Sequence, residues 1–483
     1  MDLLMDIKQI QFDYMENRIF TIDDLKIYRG NRIGVVAPNG SGKTTLLKML
    51  NRDIYPGKGT IQTYGTIALM EQQASPNFSP LIDEKQRKIL NIPTNYPELS
   101  GGEATKLKFL EVYSKFPDVL LLDEPTAHMD IQGRQFVIDQ LKHYYGAFIL
   151  VSHDRYLLNR LVEEIWEIQN QKIIKYTGNY TEYKTLKDLE FKQAKENYFN
   201  VQEEKLRLNK ALSEKKRLAA TVTNKKNKKE FRSKPGRMTK SKDTAAKSLH
   251  KAAKSLEKRI KRMDDVFLPK EKQSINFDSK KIKEIHTKYP IMIDYLDIKC
   301  GDKLLIKNVS LQVKLNKCVS ITGKNGSGKS TLLKTIFSNF EGVNISKKAK
   351  IGYFNQNTHH QFQDDNRLTI LEYCKLKSDY DEHYLIEILD RVNFKGNDLK
   401  KKLSQLSGGE ATRLALLLIF VQDYNILLLD EPTNFLDIET IEVVEDFILK
   451  YPGTVVCISH DFHFIEKISD VIYYIEGKKL IRK

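Results

Sequence analysis

Short apolar runs recur near both ends of the chain, and each stands between segments whose composition favours helices. Four of these runs have the length of a buried strand, and they are Val119–Asp123, Ala147–Ser152, Ile426–Asp430 and Thr454–Ser459. Two glycine-rich loops are each followed by a predicted helix, over Thr44–Leu50 and Ser330–Ser338. Strands that alternate with helices predict two α/β domains, each a mainly parallel sheet with helices on both faces, over 1–180 and 273–483.

The middle of the chain, 181–272, has a different pattern. From Thr181 to Val222 it lacks Gly and Pro, and apolar residues recur near heptad spacing at Tyr198, Val201, Leu208 and Leu212, with Lys205 interrupting. A similar seam returns at Leu249, Ala252, Leu256, Ile260 and Met263. The pattern predicts two long helices packed antiparallel, with a tip over 221–245 that holds Pro235-Gly236. The alternative is a solvated, partly disordered charged linker.

One set of four motifs occurs twice. The first copy reads APNGSGKTT (Ala37–Thr45), LSGGE (Leu99–Glu103), LLLDEPT (Leu120–Thr126) and VSHD (Val151–Asp154). The second reads GKNGSGKST (Gly323–Thr331), LSGGE (Leu406–Glu410), LLLDEPT (Leu427–Thr433) and ISHD (Ile458–Asp461). The LSGGE serine precedes the aspartate of DEPT by 23 positions in both copies, and that aspartate precedes the histidine by 30. Equal spacing indicates a duplicated nucleotide-hydrolysing domain.

The glycine-rich loops match a phosphate-binding motif that closes backbone N–H groups around the phosphates of ATP. Lys43 and Lys329 would reach the β- and γ-phosphates, and the hydroxyls of Thr44 and Ser330 would ligate Mg²⁺. The predicted ATP-binding residues are Asn39, Gly40, Ser41, Gly42, Lys43, Thr44, Thr45, Gly323, Asn325, Gly326, Ser327, Gly328, Lys329, Ser330 and Thr331. Ala37 replaces the opening glycine of the first loop, which is harmless if its φ is negative and weakens the first site if it is not.

Each DEPT motif places two carboxylates at the end of an apolar strand. Asp123 and Asp430 would hold Mg²⁺ through water, and Glu124 and Glu431 would polarise the attacking water. His153 and His460 would contact the γ-phosphate. Gln72 and Gln356 end strands where a metal-contacting glutamine would lie, although Gln73 adjoins the first.

The two LSGGE motifs (the signature motifs) offer backbone and hydroxyl donors to a phosphate from Ser100, Gly101, Gly102, Ser407, Gly408 and Gly409. Each motif is far along the chain from its own loop, which favours use in trans. The whole set resembles the ABC ATPase family, in which two domains face head to tail around ATP. The resemblance implies one site that joins Lys43, Asp123, Glu124 and His153 to Ser407 and Gly409. It implies a second that joins Lys329, Asp430, Glu431 and His460 to Ser100 and Gly102.

The resemblance also bears on the D-loops, the oligomeric state and the adenine platform. The resemblance implies D-loops at Asp130 and Asp437, and a monomer whose two ATPase domains pair within the chain. Tyr14 is a candidate adenine platform in the first domain. In the second, Cys300 stands about where an aromatic residue is expected, with Tyr295 nearby. Either aromatic side chain could equally belong to the core.

Composition narrows the class of protein. The 483 residues are 41% hydrophobic and 29% charged, and no apolar run approaches the roughly 18 residues of a membrane span. Neither a signal peptide nor a CxxC metal motif is visible, which predicts a cytoplasmic protein without zinc or iron–sulfur sites. The net charge is +16, and residues 184–272 hold 28 Lys and Arg against 12 Asp and Glu, so this segment carries the whole excess. Such a basic arm suits the phosphate backbone of RNA.

The position of the basic arm separates the possible functions. A transporter ATPase needs membrane domains, and a DNA-repair ATPase of this class carries its coiled coil inside one ATPase domain. The arrangement here resembles the ABC-F family, including GNYTEY (Gly178–Tyr183) and AAKSLEKRIKRMDDV (Ala252–Val266). That resemblance implies binding at the ribosomal E site, with the linker reaching toward P-site tRNA, large-subunit ribosomal RNA and the peptidyl transferase centre.

Within the ABC-F family, a long linker and a short first-domain interval, with little room for an arm insertion, resemble the Msr-type resistance proteins. The implied function is antibiotic resistance by protection of the ribosome against macrolides and streptogramin B. Arg237 and Met238 would then be the working residues of the tip, and a solvated turn is the alternative. The first competing function is that of a housekeeping ABC-F translation factor. The second is that of the ATPase subunit of a transporter.

Overall fold

The structure is a computed structural model of the whole chain. It describes residues 2–14, 17–72, 101–230, 239–263, 268, 277, 285–355, 362 and 367–483. The chain divides into two compact units. One unit joins Met1–Tyr183 to Ser274–Lys483 and so contains both copies of the motif set, and the other is Lys184–Gln273.

The first α/β domain contains nine strands and four helices among its described residues. The strands are β1 (Leu3–Tyr14), β2 (Asn17–Tyr28), β3 (Arg32–Val36), β4 (Lys58–Thr63), β5 (Ile67–Met70), β6 (Val119–Asp123), β7 (Ala147–Val151), β8 (Glu164–Gln169) and β9 (Lys172–Thr177). The helices are α1 (Lys43–Leu50), α2 (Gly101–Tyr113), α3 (Ile131–Lys142) and α4 (Arg155–Leu161).

The second domain repeats this plan. Its strands are β10 (Ile291–Cys300), β11 (Lys303–Val313), β12 (Cys318–Gly323), β13 (Val343–Ile345), β14 (Ile351–Phe354), β15 (Ile426–Asp430), β16 (Thr454–Ile458), β17 (Val471–Glu476) and β18 (Lys479–Arg482). Its helices are α7 (Lys329–Phe337), α8 (Ile370–Lys377), α9 (Glu382–Arg391), α10 (Gly408–Val421), α11 (Ile438–Lys450) and α12 (Phe462–Ile468), with two short 3-10 helices at Gly396–Lys400 and Leu403–Gln405.

The two domains share one strand order. The first sheet runs β4-β1-β2-β9-β8-β3-β7-β6-β5, and the second domain has the matching orders β14-β15-β16-β12-β17-β18 and β11-β10-β13. Strands β5, β6, β7, β3 and β8 pair in parallel, as do β14, β15, β16, β12 and β17. This confirms the predicted α/β class with a mainly parallel sheet.

The central strands are apolar because helices cover both faces of a parallel sheet. All five residues of β6, β7, β15 and β16 are buried. The carboxyl ends of these strands meet at one edge of each sheet, and the DEPT and SHD motifs follow directly there. The fold therefore gathers the predicted phosphate, metal and histidine positions at that edge.

The unit Lys184–Gln273 is helical over most of its described residues. Helix α5 (Tyr180–Glu230) enters it and α6 (Thr239–Arg262) returns. Leu208 and Ala253 are buried, and Arg259 Nη2 lies 3.1 Å from Glu204 Oε1 across the pair. The predicted antiparallel hairpin is confirmed. Both helices extend into 221–245, where the sequence predicts the tip, because the many Lys residues favour a helix and the breakers lie only at Pro235-Gly236.

Candidate functional site

Each glycine-rich loop folds around its lysine. Gly42 and Gly328 precede helices α1 and α7 with φ values of 96° and 99°. A Cβ at Gly42 would lie 2.5 Å from Ile19 Cγ2, so both conformation and space require glycine there. Lys43 Nζ donates to the carbonyl oxygens of Ala37 (2.9 Å) and Pro38 (3.2 Å). In the second loop Lys329 Nζ donates equivalently to Gly323 (3.0 Å) and Lys324 (2.9 Å).

The replacement of glycine by Ala37 leaves this geometry intact. Gly323 has a φ of 154°, whereas the φ of Ala37, which is a described residue, is not positive. The Ala37 carbonyl accepts from Lys43 as the Gly323 carbonyl accepts from Lys329. The condition under which the substitution is harmless is therefore met.

A hydroxyl and a carboxylate meet at the base of each loop. Thr44 Oγ1 donates to Asp123 Oδ2 at 2.7 Å, and Ser330 Oγ donates to Asp430 Oδ1 at 3.1 Å. Hard oxygen donors of this kind suit Mg²⁺, which keeps several waters and binds substrate phosphates. Within the part of the chain that the structure describes, Ser41 Oγ and its counterpart Ser327 Oγ are buried without a hydrogen-bond partner. Unpartnered donors inside both loops fit the phosphate oxygens of a nucleotide.

The glutamates of the DEPT motifs adopt an unusual backbone conformation. Glu124 and Glu431 have φ values of 50° and 51°, which cost a non-glycine residue about 1–2 kcal/mol. Each is held there because its N–H donates across to the next strand, to Val151 or Ile458, at 2.9 Å. Such strain persists only where the surrounding structure fixes it, and it clusters at functional sites.

Each glutamate faces the histidine of its own domain. His153 Nε2 lies 3.5 Å from Glu124 Oε1, and His460 Nε2 lies 3.4 Å from Glu431 Oε1. Burial, and then the charge of Asp123, raise the pKa of Glu124 to about 8, and burial raises that of Glu431 to about 7. A pKa near neutral pH suits a group that takes a proton from an attacking water.

Burial, and then the nearby loop lysine, lower the pKa of each histidine to about 3. Both imidazoles are therefore neutral at pH 7, and each offers one N–H donor.

A cavity of about 650 Å³ joins the first loop to the second signature motif. Its volume suits a nucleotide. The lining includes Asn39, Gly40, Gly42, Lys43, Thr44, Thr45, Gln72, Asp123, Glu124 and His153 from the first domain, and Ser407 and Gly409 from the second. Gly408 begins helix α10 beside them. Tyr14 also lines this cavity, together with Phe12 and Ile19, which the sequence analysis missed.

A cavity of about 660 Å³ joins the second loop to the first signature motif. The lining includes Asn325, Gly326, Gly328, Lys329, Ser330, Thr331, Glu431 and His460 from the second domain, and Gly101 and Gly102 from the first. Cys300 lines it with Lys303 and Leu305, whereas Tyr295, 79% exposed, is not among the described lining residues. Ser100, Gln356, Arg237 and Met238 lie outside the described residues.

The two domains touch directly through the loops that hold these cavities. The Asn39 N–H donates to Asp437 Oδ2 at 2.9 Å, and Asn39 Nδ2 donates to the Phe435 carbonyl at 3.2 Å. At the other site Asn325 Nδ2 donates to the His128 carbonyl at 2.9 Å. Asn39 and Asn325 occupy the same position in the two copies of the duplicated loop motif. This shared position is the sequence feature from which the contact could have been predicted.

A buried ion pair adds to this interface. Arg155 begins α4 in the first domain, and its guanidinium contacts the Glu445 carboxylate on α11 of the second. The side chains are 3% and 0% exposed. Lys467 Nζ is 2.7 Å from Glu445 Oε2, and Asp461 Oδ2 is 3.9 Å from Arg155 Nη2. The site thus has the geometry of two nucleotide cavities closed by a shared domain interface.

Comparisons with known proteins agree with this architecture. A family model described as ABC transporter matches residues 21–79 and 306–434. The erythromycin resistance ATP-binding protein MsrA of Staphylococcus epidermidis is 35% identical over 480 residues, covering 98% of this chain and 97% of the relative. The ribosome protection protein VmlR of Bacillus subtilis (strain 168) is 29% identical, covering 97% and 86%. The energy-dependent translational throttle protein EttA of Mycobacterium tuberculosis is 29% identical, covering 94% and 88%.

Solved structures share the fold. The structure of RNase-L Inhibitor superimposes with a TM-score of 0.64 at 18% identity, covering 98% of this chain and 90% of the other. The archaeal ribosome recycling factor aABCE1, in complex with ribosomal stalk protein aP1, gives a TM-score of 0.62 at 18% identity, covering 97% and 87%.

The duplicated sheets, loops and facing signature motifs define a tandem ABC ATPase, and the protein is an ATP hydrolase. The similarity to MsrA extends over almost the full length of this chain and of that relative, and it identifies the family within the ABC ATPases. The chain belongs to the ABC-F family. Among the described helices, none combines the length and the apolar character that crossing a membrane requires.

Proposed function

We propose that this protein is an ATP-dependent ribosome-protection factor that confers resistance to macrolides and streptogramin B. The observation that carries the proposal is its 35% identity, over 98% of the chain, to a relative named for resistance to erythromycin, a macrolide. A second relative is named as a ribosome protection protein. The protein acts in the cytoplasm, where its ribosomal partner lies.

The hairpin supplies the physical means of ribosome binding. Its unit holds the entire net charge of +16, and α5 alone, at 51 residues, is about 75 Å long. Lysine and arginine side chains on such a rod bind RNA phosphates, and the affinity falls steeply with salt. In this proposal α5 and α6 carry the tip, with Arg237 and Met238, toward P-site tRNA and the drug site from the E site.

The ATPase unit supplies the switch. ATP in the first cavity contacts the Lys43 loop from one side and Ser407 and Gly409 from the other, so nucleotide holds the domains together. Thr44 with Asp123, and Ser330 with Asp430, would hold Mg²⁺, which neutralises phosphate charge. Glu124 and Glu431 polarise the attacking water, and neutral His153 and His460 donate to the γ-phosphate.

Once the γ-phosphate leaves, these contacts are lost and the interface opens. The protein then releases the ribosome. In this proposal it acts as a monomer whose two domains, 1–180 and 273–483, pair within one chain, and the hairpin of 181–272 lies between them in the sequence.

A sedimentation experiment tests ribosome binding. Glu124→Gln/Glu431→Gln removes both water-polarising carboxylates while preserving shape, so the double variant should stay on ribosomes in ATP and hydrolyse it slowly. Wild type should bind with a non-hydrolysable analogue and release in ADP. Nucleotide-independent sedimentation contradicts the proposal, and recovery in the membrane fraction favours a transporter subunit instead.

Drug protection is tested by cell-free translation. Adding the protein with ATP should restore synthesis that erythromycin inhibits, and a variant lacking Lys234–Lys240 should bind ATP but restore nothing. A housekeeping translation factor, as the relative named translational throttle represents, is the second candidate. It predicts an ATP-dependent change in drug-free translation and no rescue from erythromycin.

A further inference from the structure

Arg134 lies between the two nucleotide cavities and contributes to the lining of both. It belongs to α3, four residues after Asp130, and its side chain is 19% exposed. Its Nε donates to the Met129 carbonyl at 3.2 Å, which fixes the guanidinium plane against its own domain. Its Nη1 then reaches outward to two further acceptors.

These two acceptors belong to the two histidine motifs. Nη1 of Arg134 is 3.1 Å from Asp154 Oδ2 in the first domain and 3.1 Å from the carbonyl oxygen of His460 in the second. Asp154 directly follows His153, so the guanidinium ties the histidine turn of one domain to the histidine of the other.

The hydrogen bond from Arg134 holds His460 from the first domain, whereas the contacts of His460 with Glu431 lie within its own domain. The His460 N–H donates to Glu431 Oε2 at 3.3 Å, and its Nε2 faces Glu431 Oε1 at 3.4 Å. Its carbonyl is fixed by Arg134 across the interface. A path of contacts therefore runs from Glu124 through the His153–Asp154 turn and Arg134 to His460 and Glu431.

The second domain does not offer an equivalent side-chain donor at this position. The second domain carries Ile441 at the equivalent place, four residues after Asp437, and an isoleucine side chain cannot donate a hydrogen bond. Asp154 retains other partners, because its Oδ1 accepts from the N–H groups of Tyr156 and Leu157. Loss of Arg134 therefore alters the second site more than the first.

We infer that Arg134 is a positioning residue for hydrolysis at the second site. It sets the main chain of His460 from the opposite domain and so makes turnover at Glu431 depend on the closed interface. The inference rests on the proposed roles of the glutamates and histidines, and it makes the two ATP sites of this chain unequal.

The test measures single-turnover ATP hydrolysis by the full chain with one site active at a time. In the Glu124→Gln background only the second site turns over, and Arg134→Ala should slow it about tenfold, the cost of one charge-assisted hydrogen bond. In the Glu431→Gln background the same change should cost less than about twofold. The dissociation constant of a fluorescent ATP analogue should be unchanged in both.

Two further variants separate positioning from simple structural damage. Arg134→Lys keeps a charged donor and should recover part of the lost rate at the second site. Arg160→Ala removes an exposed arginine of the same domain, which lies over Tyr156, and should leave both rates unchanged.

Equal losses at both sites, loss of nucleotide affinity, or no loss at all would overturn the assignment of Arg134. Residual turnover in Glu124→Gln/Glu431→Gln would instead overturn the roles of the glutamates, and the site-resolved claim with them. If the double glutamate variant is inactive, but the second-site rate in the Glu124→Gln background does not change with Arg134→Ala, only the role of Arg134 is overturned.

Discussion

The buried pair of Arg155 and Glu445 gives a quantitative test of the closed interface. Glu445 is fully buried, and its carboxylate contacts the Arg155 guanidinium from the other domain. In Glu445→Leu the guanidinium stays buried, with Asp461 at 3.9 Å as a distant partner. Removing one member of a buried pair costs about 3–5 kcal/mol, because the other charge is left uncompensated.

Replacing both members should cost far less than replacing one. Arg155→Met/Glu445→Leu removes both charges and fills their volume with apolar groups, which is often neutral. Lys467, 45% exposed, can return its ammonium to water in either variant. The coupling energy between the two sites should therefore be about 3 kcal/mol or more.

The assay is urea unfolding followed by tryptophan fluorescence. Trp166 is the single tryptophan and is fully buried in β8, so its emission reports the core of the first domain. With an m-value of about 2–3 kcal/mol per molar, the Glu445→Leu midpoint should fall by about 1–2.5 M and the double variant should recover most of it. Glu439→Leu, an exposed position on the same helix, is the control. A midpoint of Glu445→Leu within about 0.3 M of wild type, or additive effects of the two substitutions, would show that the buried pair does not stabilise the interface.

Three further outcomes follow from the described geometry. Gly102→Ala should destabilise the closed unit by about 1–3 kcal/mol in urea, because its Cβ would lie 2.5 Å from the His128 carbonyl oxygen, whereas Gly408→Ala has open space and should be neutral. Tyr14→Ala should weaken ATP binding at the first cavity about 5- to 100-fold in equilibrium titrations, if the ring stacks on adenine. Hydrogen bonding by Thr66 lowers the pKa of Asp118, so its stabilising charge is present above pH of about 4 and lost as pH falls through the folded value. Urea midpoints of wild type and Asp118→Asn should therefore differ at pH 6 and converge in stronger acid; a constant difference contradicts this.

The sequence predicted the strands that carry the chemistry because they are buried on both faces. The apolar runs that end at Asp123 and Asp430 coincide with β6 and β15 at both boundaries. The hairpin helices were predicted too short, since charged residues continue a helix as readily as they fill a loop. Local composition could not place that boundary.

The contacts between domains were beyond a motif analysis. Arg155 meets Glu445 across 290 positions of sequence, and Arg134 meets His460 across 326, and nothing local marks either arginine. Motifs alone also could not decide which aromatic residues lie beside the nucleotide cavities. Tyr14 lines the first cavity and Tyr295 does not line the second, a difference that depends on where two β-hairpins turn.

Release of labelled erythromycin from purified ribosomes measures the proposed ribosome protection itself. Ribosomes loaded with the drug are filtered after addition of the protein with ATP, beside Glu124→Gln/Glu431→Gln and the variant lacking Lys234–Lys240. Ribosome protection by the linker tip predicts faster drug release with the wild-type protein and ATP, and a basal rate with the shortened tip. Drug that leaves at the basal rate in every reaction, although the protein is bound to the ribosome, would contradict it.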